Sequence, residues 1–174
     1  MPYTFWYSGI LIGDSDLQES SCNPRQHGGS FRPTPYGLEL FPRLTGVLTA
    51  GHALKLYLDA NGLCPENMDS REIEELVDST PAGRKILDIG RTLSDVEMRA
   101  PDGTTLEFES IAFTDLLELQ SLARELNLDS ANELDELPTP SPSDISRYIV
   151  SATLREIARD ARPELSGVPL GRDN

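Results

Sequence analysis

The sequence predicts an α+β fold in which a small antiparallel sheet is packed by three to four helices. Three observations carry that expectation. Residues 94–99 and 104–109 alternate apolar and polar side chains around Pro101-Asp102-Gly103, the pattern of a three-residue hairpin with Gly103 in a left-handed conformation. Residues 45–60 and 114–126 instead repeat apolar side chains at helical spacing. The opening residues 3–12 are aromatic and β-branched, as a strand prefers.

Taken in order, residues 3–12 read as one strand that continues to Leu17 through a bend or bulge at Gly13. Residues 20–36 are rich in Ser, Gly, Asn and Pro and read as a long ordered loop or two turns. A helix follows over 45–60, stopped by Asn61-Gly62. Asp69 and Glu72 form a capping box for a second helix whose apolar stripe is Ile73, Leu76 and Val77. Residues 79–83 break it, and 84–89 form a short helix or strand. In the hairpin near 93–110, pairing Ala100 with Thr104 sets Met98 opposite Leu106 and Val96 opposite Phe108, so the four large apolar side chains share one face. Thr114 caps a leucine-rich third helix. Prolines at 138, 140 and 142 exclude helix or central strand, so residues 1–137 form the domain and 138–143 a Pro-rich joint. Ser143 or Asp144 then caps a C-terminal helix over 144–161, using Ile145, Tyr148, Ile149, Ala152 and Ile157, and 162–174 form a flexible tail. A β-turn-β-α pattern recurs weakly in the two halves.

The 174 residues carry 29 acids against 15 bases, a net charge of −14. Such a chain repels phosphate backbones and anionic membrane surfaces, which argues against direct nucleic-acid binding and against membrane association. The N-terminus has no basic n-region and no apolar run nears the ~20 residues of a membrane span, so a cytoplasmic protein with reduced Cys22 and Cys64 is expected. Thirteen of the 15 bases are Arg, a signature of genome composition before function. Residues 63–140 hold 19 acids and 6 bases, so the excess charge lies in one segment.

Extending the hairpin register places Glu97 opposite Glu107 and Asp95 opposite Glu109, crowding four carboxylates onto the other face. Glu72 and Glu75 on the second helix enlarge this negative surface. The leading expectation is therefore a non-enzymatic binding protein, of the inhibitor, immunity or adaptor type, that meets a basic protein partner there. A second candidate surface is the segment 28–37, where Phe31, Arg32 and Tyr36 combine residue types favoured at binding hot spots. The alternative for Phe31 and Tyr36 is to plug the core. A different class of function, a divalent-metal-dependent hydrolase or transferase, would use Asp14, Asp16 and Glu19. Cys22, His27, His52 and Cys64 lack the spacing that nucleates a zinc site, and Cys22 with His27 lacks an orienting third group, so no metal or cofactor is expected. Self-association through the C-terminal helix is the remaining alternative.

Overall fold

The computed structural model describes residues 2–126 and 147–155. Ser8 and Gly9 both take positive φ, 50° and 77°, which is the requirement of a two-residue hairpin turn of the primed type. The opening segment is therefore two strands, β1 (Tyr3–Tyr7) and β2 (Ile10–Ser15), and the single strand expected there is corrected. The pairing steps from Phe5 with Gly13 to Trp6 with Leu11, so a bulge does sit beside Gly13.

The expected loop at 20–36 is largely a strand as well. A two-residue strand β3 (Gln18–Glu19) continues the line of β2, and both pair with β4 (Gln26–Pro33), which is central in the sheet. Glycine there marks close approach and not a turn: a Cβ on Gly29 would meet Ser15 Oγ at 2.9 Å and the Asp16 carbonyl at 3.0 Å. Thr34 then caps α1 (Pro35–Leu40), its hydroxyl accepting from Gly37 N–H at 3.1 Å and donating to the Leu11 carbonyl at 2.9 Å. A 3₁₀ turn at Phe41–Arg43 leads to Gly46 and α2 (Val47–Ala60).

The capping box forms as expected at the start of α3 (Ser70–Ser79), with Glu72 N–H donating to Asp69 at 2.8 Å and Asp69 N–H to Glu72 at 2.9 Å. The break expected after it lasts one residue. Thr80 caps α4 (Pro81–Ser94) by accepting from Gly83 N–H at 3.1 Å, and Pro81 stands in the first turn, where a missing N–H costs nothing. A 14-residue helix thus replaces the short element expected at 84–89.

The hairpin tip is as expected: Gly103 has φ +87°, Ala100 N–H donates to the Thr104 carbonyl, and Met98 in β5 (Val96–Arg99) pairs with Leu106 in β6 (Thr105–Leu106). The ladder then ends. After Glu107 the chain enters β7 (Phe108–Asp115) and Phe108 pairs with Leu154, not with Val96. Asp115 caps α5 (Leu116–Glu125), and β8 (Tyr148–Leu154) lies between β7 and β4. The C-terminal helix over 144–161 is thereby corrected: Tyr148, Val150 and Ala152 alternate into the core, a period of two that excludes helix across them. The joint at 138–143, the tail at 162–174 and the outer parts of that expected helix lie outside the described residues.

The result is an α+β fold, a mostly antiparallel near-barrel with four helices of ten or more residues and the short α1. The strand order is β6-β5-β1-β2-β4-β8-β7, and its two ends are neighbours in the chain, separated only by Glu107. Phe5, Phe31 and Phe113 fill the interior edge-to-face at 4.9–5.7 Å between centroids, while Phe41 from the 3₁₀ turn stacks on Phe31 and meets Tyr148 at 4.4 Å. Each such pair adds about 0.5–1.5 kcal/mol beyond its buried area. No helix among the described residues is long and apolar enough to cross a membrane.

Candidate functional site

The β5–β6 ladder ends at Met98 and Leu106, so the register that opposed the carboxylates does not continue beyond them. Glu97 stands across from Trp6 of β1 and accepts from Arg99 Nη2 at 3.0 Å, while the Arg99 guanidinium lies 4.4 Å over the Trp6 ring. Glu107 faces Arg155 at 3.3 Å, and Glu109 pairs with Arg25. Asp95 ends α4 as its C-terminal cap. The opposed pairs Glu97/Glu107 and Asp95/Glu109 are thus corrected, because β6 has only two residues in the ladder and three of the four acids have their own arginine.

The segment 28–37 is framework. Phe31 is fully buried and offers nothing to a partner, and Tyr36 packs on the core, which is the plugging role weighed against recognition. Arg32 is clamped. Its Nε donates to Asp14 at 2.5 Å and its two Nη atoms to Asp16 at 2.6 and 3.0 Å. These bonds hold the Asp16 carboxyl below its ordinary value and the guanidinium above its own. The same clamp bears on the metal alternative, since the guanidinium occupies the space a cation would take between Asp14 and Asp16. Glu19 pairs with His27 across the β3–β4 ladder. Among the described residues no three His, Cys, Asp or Glu side chains are grouped to hold a metal ion. Cys22 and Cys64 are free and exposed, His27 Nδ1 lies 3.3 Å from the Arg25 carbonyl, and His52 lies 3.7 Å from Glu125.

Self-association through a C-terminal helix loses its basis at Tyr148, Ile149 and Ala152, which sit in the sheet.

What remains of the acidic surface is on the helices. Residues 59–78 carry Asp59, Glu66, Asp69, Glu72, Glu74, Glu75 and Asp78 against Arg71 alone, and all seven acids are exposed. Arg71 is spent on Glu75, four residues on at 2.9 Å. Glu72 is tied to the cap, and Glu74 and Asp78 have no ion pair among the described residues. Leu63 (37%) and Ile73 (37%) are exposed within it, and Lys55, Leu56 (50%) and Tyr57 (44%) are exposed just before it. Both α2 and α3 pack on α4, and α3 has no fully buried residue.

Two clefts had no counterpart in the sequence expectations. One, of about 300 Å³, is apolar and lies between the start of α2, β7 and α5. The other, of about 780 Å³, runs along α4 opposite Tyr7, Pro42 and Arg43 and is lined by basic side chains. Its only sequence signal is the recurrence of Arg84, Lys85 and Arg91, which points nowhere until 81–94 is known to be one helix.

No family model matches the chain, and no match is found among curated proteins or solved structures. The fold and these surfaces define an α+β near-barrel protein.

Proposed function

We propose that this is a non-enzymatic binding protein, of the inhibitor, immunity or adaptor kind, which engages a basic protein partner through the outer face of α2, α3 and the turn between them. One observation supports it above others: residues 55–78 expose seven carboxylates against two bases, Lys55 and Arg71, together with Leu56, Tyr57, Leu63 and Ile73. Apolar anchors ringed by like charge are what a steered interface needs, since the charge raises the encounter rate and the apolar side chains hold the complex. On this reading the protein acts in the cytoplasm, without a cofactor, and contacts neither nucleic acid nor membrane.

Glu74→Lys with Asp78→Lys tests the proposal, because neither residue serves a cap or an ion pair. Capture from source-cell extract at low salt is expected to retain basic proteins on the parent chain, to release them at high salt, and to lose them on the double variant. Retention of the same proteins by both chains would refute the proposal.

A further inference from the structure

In a chain with so many acids, cations rarely lack a partner. Seven arginines, 25, 32, 71, 91, 99, 147 and 155, each face a carboxylate within 4 Å. Arg43, Lys55, Arg84 and Lys85 face none among the described residues, and three of these four, all but Lys55, line the cleft along α4. The fourth cation there, Arg91, is held to Asp88 only at 3.5 Å. With Asp95 the cleft has four cations against two carboxylates, a positive site on a protein of net charge −14.

The cations are arranged and not scattered. Arg43 is fixed from two sides, its Nη2 donating to Thr92 Oγ1 at 3.5 Å and its guanidinium lying 5.9 Å from the Tyr7 ring centroid. Thr92 is 2% exposed and itself donates to the Asp88 carbonyl, so this support is rigid. Arg84 and Arg91 lie seven residues apart on α4, about 10 Å along the axis. The Lys85 ammonium lies close to Gly46, which makes Arg43 and Arg84 the centre of the site. The exposed Pro42 and Pro81 rings give the cleft apolar surface, over the fully buried Ile89. Helix α4 begins at Pro81 on the rim, and its positive end adds to the field.

Guanidinium groups match phosphate oxygens in pairs, and the volume of about 780 Å³ falls in the range of small-molecule sites. We propose that this cleft binds a phosphorylated small molecule, with Arg43 and Arg84 on the phosphate oxygens and the apolar wall against the rest of the ligand. The proposal is independent of the acidic face, which lies on other residues.

Titration of the full chain with inorganic pyrophosphate and with ADP, followed by calorimetry at low and high salt, tests it. Saturable binding that weakens with salt is expected. Arg84→Ala, on the exposed side of α4, is expected to weaken it at least about tenfold, and Arg71→Ala, another exposed arginine but outside the cleft, to leave it unchanged. Equal affinity for both probes marks a free oligophosphate as the ligand and tighter ADP marks one with a larger body, and either supports the proposal. Absence of saturation with both probes, binding of a polyglutamate peptide in their place, or equal losses in the Arg71 and Arg84 variants would overturn it. Circular dichroism of the Arg84 variant is expected to match the parent, and the salt dependence of the parent alone decides should it not.

Discussion

The near-barrel and the α2–α3 face treat charge in opposite ways. Around the sheet, carboxylates are answered locally: Asp14 and Asp16 by Arg32, Glu97 by Arg99, Glu107 by Arg155, Glu109 by Arg25 and Asp115 by Arg147. On the helices, seven carboxylates share one arginine. The difference teaches where a large share of the excess negative charge lies among the described residues. The sheet contributes little uncompensated charge despite its many acids, while the helical face carries most of its charge without an ion pair and in water, where repulsion between neighbours costs only tenths of a kcal/mol.

The comparison can be broken by substitutions that ought to damage one region and spare the other. Phe31→Ala has the largest expected effect, because the side chain is fully buried among Phe5, Phe41 and Phe113; a loss of about 3–5 kcal/mol should appear in urea unfolding. Arg147→Ala comes next. Asp115 is mostly buried and caps α5 besides pairing with Arg147 at 2.5 Å, so stranding it is expected to cost about 1–3 kcal/mol by the same measurement. Asp69→Ala, which deletes half of the capping box, should cost about 1 kcal/mol and show in the helical signal of circular dichroism. The Glu74→Lys and Asp78→Lys pair should move stability by less than about 0.5 kcal/mol, since both residues are exposed and unpartnered. A large loss from that last pair would mean that the helical face is structural after all.

The smallest effect is with acid. Thr104 N–H donates to Asp102 at 2.9 Å and holds that carboxyl below its ordinary value, as Arg32 holds Asp16. A depressed folded pKa stabilises the protein above the usual carboxylate range, and the gain disappears as pH falls through the depressed value. Asp102→Asn is therefore expected to lower stability slightly at neutral pH and to flatten its decline below about pH 4, read from urea midpoints across pH.

What was legible in the sequence is what neighbours along the chain decide. Pro101-Asp102-Gly103 specifies its own turn, which fixes Met98 against Leu106; Asp69 and Glu72 specify a cap. The rest depended on distant partners. Ser8-Gly9 is a turn, but apolar residues on both sides read as one continuous strand until each half has a different neighbour. Gly28 and Gly29 look like loop residues because glycine serves turns and close approaches alike, and β8 supplies the ladder that makes β4 a central strand. Residues 145–152 fit helical spacing at Ile145, Tyr148, Ile149 and Ala152 and strand alternation at Tyr148, Val150 and Ala152; periodicity cannot choose between them, and the open edges of β4 and β7 do. The candidate site suffered from the same limit. The hairpin register was right for Ala100 with Thr104 and Met98 with Leu106, and beyond Leu106 the chain changes partner, so the carboxylate pairs read from that register are not ladder pairs.

The place of β8 sets an order on synthesis. It is the last of the described strands to leave the ribosome, and it fits between two that were made earlier, with partners more than a hundred residues back in β4. Until Tyr148–Leu154 emerge, β4 and β7 each present an unpaired edge, the kind of surface that recruits other chains. A nascent chain stalled before residue 148 should therefore need protection that the finished protein does not, and the seal that hides both edges is made in a single step at the end.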